Sequence, residues 1–189
     1  MIGQKETQSK LHTPIYSPKW DKRESLSGGL KVRFRPILPE DESLYMTFIQ
    51  KSTMEDIRHR FFAHMKELPH DLLVQFTHVD YNKTMAFVAI DEESGDLLGV
   101  SRYAASPDSQ RAEYAVMTRS DLKGHGIGFT LMRMLIEYAK EKNISELYGQ
   151  IMRDSPEFIK MCKEFGFHIT SDENDSCYLM TTLPLFVIL

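Results

Sequence analysis

A strand, a glycine-rich turn and a helix follow one another between Arg111 and Tyr138, and this stretch constrains the fold more than any other. Ala112 to Met117 alternates its side chains in a way typical of a β-strand. Three glycines spaced two residues apart then precede an amphipathic run; they are Gly124, Gly126 and Gly128. Such a turn can bend sharply and lie close to a bound group, and the helix after it offers unpaired N–H groups and a positive dipole end. The stretch is therefore either a tight connection or a seat for a phosphate.

The common nucleotide-binding fingerprints are absent from this turn. The sequence contains no G-x-G-x-x-G, and no Gly-Lys-Ser/Thr follows a second glycine at Walker spacing. If the turn binds phosphate, it is a pyrophosphate seat of another kind.

Length, charge and cysteine content narrow the class of protein. The chain has 189 residues, which suits one domain with a real core. Its net charge of −4 argues against nucleic acid as the main partner, although a local basic seat for an anionic cofactor is compatible with it. Cys162 and Cys177 form no disulfide framework and no metal-ligand pattern. No signal peptide or membrane-length apolar run occurs. We therefore expect a cytoplasmic protein with no metal, no nucleic acid and no membrane partner.

The order of predicted elements indicates an α+β domain. Residues 1–29 are polar and are expected to form a mostly irregular arm, whereas residues 30–189 form the domain. After a first strand, helices are predicted from Pro39 and over residues 54–64. In the second helix Met54, Ile57, Phe61 and Phe62 supply the buried stripe, and Arg58 and Arg60 are expected to face the other way.

The second half of the chain alternates strands with two more helices. Three antiparallel strands are predicted, at residues 85–90, at residues 97–104 and around Glu113. The helix after the glycine-rich turn leads to a strand at residues 147–152. A last helix begins near Pro156 and ends at Gly166, and terminal strands follow at residues 167–170 and 177–183. These elements predict a mixed, mostly antiparallel central sheet flanked by helices.

The glycine-rich turn also resembles a known family signature. Lys123-Gly124-His125-Gly126-Ile127-Gly128 is similar to the Q/R-x-x-G-x-G/A signature of the GNAT acetyltransferase superfamily, whose turn amides hold the pyrophosphate of acetyl-CoA. Lys123 stands where that signature has Gln or Arg. The position therefore keeps a hydrogen-bond donor but lacks the planar guanidinium of arginine, which can donate two parallel hydrogen bonds. The likeness implies a single GNAT-like domain and an acetyl-CoA-dependent N-acetyltransferase.

Longer phrases are similar to the acetyltransferase domain of bacterial Pat-type protein lysine acetyltransferases, over roughly residues 13–183. They are VRFRPILPED at residues 32–41, RHRFF at 58–62, FTHVDYNKTMAFVA at 76–89 and AEYAV at 112–116. This likeness implies that the acceptor is a protein bearing a reactive lysine. A small-molecule amine acceptor and a non-catalytic acyl-CoA sensor are the alternatives.

The resemblance assigns roles to particular residues. A lysine amine is only about one-thousandth neutral near pH 7, so its acetylation needs a base. The position of the family's catalytic glutamate is Glu113, which would act directly or through a water. The implied cofactor-binding residues are Val116, Met117, Thr118, Lys123, Gly124, His125, Gly126, Ile127, Gly128, Ser155 and Phe158. His125 would either touch phosphate or point to solvent.

The general acid is the part of the site that the resemblance leaves open. Many GNAT enzymes have Asn at the start of the late helix and Tyr seven residues later, where this chain has Ser155 and Cys162. Cysteine packs readily in a core. Either Cys162 or water is therefore the candidate that protonates the leaving thiolate.

Overall fold

The computed structural model describes residues 16–63, 65 and 68–185. Its strands are β1 Lys22–Ser25, β2 Lys31–Pro36, β3 Thr84–Asp91, β4 Leu97–Ala105, β5 Arg111–Thr118, β6 Glu146–Met152, β7 His168–Ser171 and β8 Tyr178–Pro184. Its α-helices are α1 Glu42–Lys51, α2 Met54–Phe61, α3 His70–Thr77, α4 Ile127–Glu141 and α5 Pro156–Glu164. The predicted alternation of strands and helices is confirmed.

The eight strands form one open sheet in the order β1-β2-β3-β4-β5-β6-β8-β7. Every neighbouring pair is antiparallel except β5 and β6, which run parallel. The crossover between these two strands is α4, as a parallel pair requires. The expected α+β fold with a mixed, mostly antiparallel sheet is confirmed.

Helices cover both faces of the sheet, and each face has its own core. On one face α4 buries its apolar stripe, including Leu131, Met134 and Leu135, against the sheet, and α5 adds Cys162 to the same core. On the other face α1, α2 and α3 pack Tyr45, Phe48 and other apolar residues over β3 to β5. Side chains of β5 alternate between these two cores, so the strand can place functional groups on both faces of the sheet.

The prediction of a mostly irregular arm does not hold for residues 22–25. They form β1, which pairs antiparallel with β2 at the edge of the sheet. Trp20, just before β1, is 6% exposed and packs against Phe87 and Tyr138, with ring centroids 5.4 and 5.6 Å away. The sequence did not predict this strand because its four residues are polar, and a short edge strand needs little alternation of apolar residues. Residues 1–15 of the predicted arm and residues 186–189 of the predicted domain lie outside the described residues.

The second helix is shorter than predicted, and two residues of its predicted buried stripe, Met54 and Phe62, are exposed. α2 ends at Phe61, and Phe62 takes a left-handed conformation with φ of 56° that caps the helix. Phe62 consequently leaves the predicted buried stripe and is 37% exposed, with its ring against Tyr178. The predicted helix end at residue 64 lies outside the described residues.

None of the helices in the described part of the chain has the length and apolar character needed to cross a membrane.

Candidate active site

The parallel strands β5 and β6 pair only at their beginnings and then separate. Their register joins Arg111 to Glu146, Ala112 to Leu147 and Glu113 to Tyr148, and it stops there. Beyond that point β5 remains paired with β4 as far as Thr118, and β6 remains paired with β8 as far as Met152. The edge of β5 from residue 114 to residue 118 therefore faces a cleft between the two strands, where main-chain groups can meet a ligand.

One aromatic side chain and one glycine fit together at the start of this separation. A Cβ at Gly149 would lie 2.8 Å from the Tyr114 ring, so only glycine lets that ring lie over β6. The ring also packs against Phe167, at a centroid distance of 5.0 Å, and stacks parallel to Phe158 at 6.5 Å. Tyr114 thus fills the core below the cleft and fixes where the strands part.

A groove of about 500 Å³ continues from the cleft between the start of α4 and α5. Among its lining residues are eight of the predicted cofactor positions: Val116, Thr118, Lys123, Gly124, Gly126, Ile127, Gly128 and Phe158. The cleft itself, of about 100 Å³, is lined by Met117 and Ser155 and shares Val116, Thr118, Lys123 and Phe158 with the groove. Cleft and groove therefore form one continuous path along the edge of β5.

The glycines of the turn are required by its backbone. Gly124 and Gly126 have φ of 83° and 92°, a region that L side chains rarely adopt, and a Cβ at either position would point into open space. Gly126 is also the N-cap of α4, so the free N–H groups of the helix begin at the same place. A Cβ at Gly128 would lie 3.2 Å from Thr118 Oγ1, which shows how closely α4 approaches β5. This arrangement can accept a phosphate against backbone amides.

His125 is half-buried, and its side chain does not line the groove. Its ring lies beside Gly28, where a Cβ would be 3.8 Å from the ring, and its Nδ1 lies 3.2 Å from the carbonyl oxygen of Leu122. The side chain of His125 thus braces the turn against the segment between β1 and β2. Only its main chain belongs to the turn that borders the groove.

The first residue of the signature, Lys123, lies beside the buried carboxylate of Asp56, which sequence reasoning missed. Lys123 Nζ is 3.6 Å from Asp56 Oδ1 and 4.0 Å from Glu157 Oε2. Asp56 accepts hydrogen bonds from the Ser120 amide and hydroxyl, at 3.1 and 2.5 Å, and from the Thr53 amide at 3.1 Å. Asp56 therefore ties α2 to the loop that carries the glycine-rich turn. The pattern Thr-x-x-Asp at a helix start was the available sequence signal.

Glu113 is exposed in the cleft, on the face of the sheet that carries α1 to α3. Arg111, two residues before it on β5, donates from Nε to Glu146 Oε1 at 2.6 Å and does not pair with Glu113. Among the described residues, no cation lies within ion-pair distance of Glu113 and no hydrogen bond occupies its carboxylate. Its oxygens are free to accept a proton from a group that enters the cleft.

Arg60 was expected to face away from the apolar stripe of α2, but its guanidinium packs over the rings of Phe61 and Phe76. Arg58 donates to Asp154 Oδ2 at 2.7 Å, and His59 Nε2 lies 3.1 Å from Asp154 Oδ1, so the end of α2 is pinned across the cleft to the loop before α5. Arg60 lines the cleft together with Glu113.

Cys162 is fully buried and belongs to a chain of hydrogen bonds that leaves no spare donor. Thr181 donates its hydroxyl hydrogen to the Gly149 carbonyl oxygen at 2.9 Å, so the Tyr114 hydroxyl, 2.6 Å from Thr181 Oγ1, is the donor of that contact. The Cys162 thiol, 3.4 Å from the Tyr114 oxygen, then donates to it. Burial raises the pKa of Cys162 to about 11 and raises the pKa of Tyr114 well above its ordinary value. This chain holds α5 and β8 together, and of its side chains Tyr114 lines the cleft whereas Cys162 and Thr181 do not.

In the part of the chain that the structure describes, no three His, Cys, Asp or Glu side chains are grouped to hold a metal ion.

Comparison with known sequences identifies relatives over most of the chain. A model of the acetyltransferase (GNAT) family matches residues 50–167. An acetyltransferase of Pseudomonas aeruginosa is 32% identical over 184 residues, which cover 96% of this chain and 98% of the relative.

Solved structures of the same fold also match. The GNAT domain of S. lividans PAT superposes with a TM-score of 0.82 at 21% identity, over 90% of this chain and 99% of that domain. A cAMP-binding acyltransferase from Mycobacterium smegmatis superposes with a TM-score of 0.61 at 21% identity, over 89% of this chain and 49% of the other. At these identities the structures support the fold, while the family match and the P. aeruginosa relative support the activity. The chain is a member of the acetyltransferase (GNAT) family, whose enzymes act with acetyl-CoA.

Proposed function

We propose that this chain transfers the acetyl group of acetyl-CoA to the ε-amine of a protein lysine, with Glu113 as the general base. The observation that carries the proposal is the position of Glu113. It is the last residue of β5 that pairs with β6, and its unpaired carboxylate lies in the cleft that joins the glycine-rich groove.

Acetyl-CoA would bind along the edge of β5. Its pyrophosphate would lie on the amides of the turn at Gly124 to Gly128, and its pantetheine arm would follow the main chain of residues 116–118 like an added strand. The thioester would then reach the cleft near Glu113. Ser155 and Phe158 border the same path from the start of α5.

The reaction is a direct transfer. The neutral lysine nitrogen attacks the thioester carbonyl carbon, its proton passes to Glu113 directly or through a water, and the carbon–sulfur bond breaks. A main-chain N–H of residue 116 or 117 would polarise the carbonyl oxygen. Because the hydrogens of Cys162, Tyr114 and Thr181 are committed within their own chain, water is the donor that protonates the CoA thiolate.

The size of the cleft is compatible with a lysine side chain as the acceptor. At about 100 Å³ it suits one unbranched amine chain that enters end-on, which a lysine or a polyamine provides, better than a bulky small molecule. Free Cys162 and Cys177 suit a reducing compartment, so we place the enzyme in the cytoplasm.

Release of free CoA from acetyl-CoA tests this proposal. The purified chain should release CoA in the presence of lysine-bearing proteins, with one acetyl group found on a lysine by mass spectrometry for each CoA released. Turnover with polyamines or amino acids but with no protein would replace the lysine acceptor by a small amine. Binding of acetyl-CoA with no acceptor turned over would indicate a sensor.

A further inference from the structure

Two arginines lie near Glu113 on the face of the sheet that carries α1 to α3. Arg60 comes from the last turn of α2 and lines the cleft. Arg102 lies on β4 directly opposite Ala115 of β5. Ala115 and Glu113 are two residues apart and share a face of the sheet, so Arg102 is a diagonal neighbour of Glu113.

Aromatic rings hold both guanidinium groups in place. The Arg60 Cζ lies 4.9 Å from the Phe61 ring centroid and 5.5 Å from that of Phe76. The Arg102 Cζ lies 4.7 Å from the Phe76 ring centroid, so both guanidinium groups contact the same ring. Such contacts orient the cation but use none of its N–H donors. Arg102 spends one donor on the Gln75 carbonyl oxygen, at a long 3.4 Å.

The local charge around these groups is not balanced. Among residues 16–63, 65 and 68–185, neither guanidinium has a carboxylate within 4.0 Å, and Glu113 is the carboxylate whose charge acts on both. Two cations and one carboxylate leave one positive charge in excess, in a chain whose net charge is −4. Burial lowers the pKa of Arg60 and of Arg102, and for Arg102 the neighbouring Arg60 lowers it further. Both groups nevertheless remain protonated, because arginine does not lose its proton in proteins.

We propose that Arg60 and Arg102 form an anion subsite that selects acceptors carrying a carboxylate next to the reactive amine, and that the protein substrate presents an Asp or Glu beside its target lysine. The inference rests on the proposed lysine acceptor and adds its sequence context. An incoming carboxylate would complete the charge balance and take up the unused N–H donors, and pairing of this kind is frequently bidentate with arginine. Glu113 would remain the general base. The incoming carboxylate pairs with the positive charge that the two guanidinium groups have in excess of Glu113.

Matched peptides test the subsite. Three peptides differ only beside one lysine, which is flanked by Glu, Gln or Arg. We expect kcat/KM to be about tenfold higher for the Glu peptide than for the Gln peptide, and lowest for the Arg peptide. Nα-acetyl-lysine and its amide provide the same contrast with a backbone carboxylate. If only this second contrast shows the preference, the carboxylate that is read belongs to a free amino acid, and the claim of an acidic protein sequence is overturned.

Arginine variants assign the preference to the two side chains. Arg60→Met and Arg102→Met keep much of the apolar contact with Phe76 and remove the charge. Each should lower kcat/KM for the Glu peptide about tenfold more than for the Gln peptide, so that the preference collapses. Arg23→Met is the matched control, because Arg23 pairs with Glu92 on β1 at the sheet edge. Thermal unfolding of all three variants identifies any loss due to misfolding, which would affect both peptides equally.

The outcomes separate this inference from the proposed function. Equal wild-type rates on the Glu and Gln peptides, or a preference that survives both substitutions, would overturn the anion subsite and leave lysine acetylation standing. Failure to acetylate any lysine peptide or protein, with acetyl-CoA still bound, would overturn the lysine acceptor and the subsite with it.

Discussion

Asp56 connects the helix on the acceptor side to the turn on the cofactor side through one buried carboxylate. Burial alone would raise the pKa of Asp56, but the hydrogen bonds from Ser120 and Thr53 together hold it below its ordinary value. Asp56→Asn should cost about 2 kcal/mol of unfolding free energy, because hydrogen bonds to a charged group are lost and a buried amide is left unpaired. It should also raise KM for acetyl-CoA, since Ser120 and Lys123 lose their anchor.

The pH dependence of stability checks the same residue. Because the folded pKa of Asp56 lies below the unfolded one, its contribution is fully present above the unfolded pKa and is lost as pH falls through the folded pKa. Urea unfolding of wild type and Asp56→Asn should therefore differ most near neutral pH and converge in acid. The matched control is Asp91→Asn, whose carboxylate also has a lowered pKa but serves the hairpin after β3. An unchanged KM for acetyl-CoA in Asp56→Asn would contradict the coupling.

Cys162 offers a second test at the residue scale. Cys162→Ala should reduce stability by about 1 kcal/mol, because a buried sulfur is removed. Turnover should stay within about a factor of two of wild type, since a lost general acid would cost about 100-fold or more. Initial rates and Tm, measured on the same preparation, decide the matter. A large loss of rate in a folded variant would make the thiol the acid after all.

At the scale of elements, the glycine-rich turn is the feature that the sequence predicted best. The spacing of its glycines predicted a sharply bent backbone, and Gly124 and Gly126 have positive φ angles that L side chains rarely adopt. Gly126→Glu should abolish the rise in Tm that acetyl-CoA causes, because the new carboxylate fills the phosphate position and repels it. Gly95→Glu is a matched control, since Gly95 also has a positive φ, of 75°, with open space around it. A ligand-induced shift that survives in folded Gly126→Glu would remove the phosphate seat from this turn.

Other elements were less predictable, for physical reasons. β1 is a short polar edge strand, so its existence depends on pairing with β2 and on the burial of Trp20, which local patterns do not encode. The left-handed end of α2 depends on a non-glycine residue, Phe62, which no turn rule flags. Asp56, Arg60 and Arg102 meet the site only through tertiary packing, and helical periodicity placed Arg60 on the wrong side.

At the scale of the whole molecule, the start of the folding unit is open to test. Deletion of residues 1–12 should leave Tm nearly unchanged, because this segment is polar and has little to bury. Deletion of residues 1–29 should cost about 3–5 kcal/mol or more, since it removes Trp20 from the core along with β1. Thermal unfolding of the two truncated chains is the measurement. Equal stability of both would place the boundary at residue 30, as the sequence suggested.

Glu113 lies where β5 and β6 separate, in the cleft that continues into the groove at the glycine-rich turn, so the proposed mechanism depends on its carboxylate. Glu113→Gln keeps its shape and removes its ability to take a proton. Turnover should fall about 100- to 10,000-fold while acetyl-CoA affinity and Tm stay close to wild type. The deficit should narrow as pH rises towards the pKa of the acceptor lysine, because more of the amine is then already neutral.

The most direct measurement is therefore the pH profile of turnover for wild type and Glu113→Gln, with Tm and acetyl-CoA binding recorded on the same samples. A large rate deficit at neutral pH that shrinks in alkali, in a folded variant that binds acetyl-CoA normally, is the result that a general base predicts. Wild-type turnover in that folded variant would contradict it and leave Glu113 without a catalytic role.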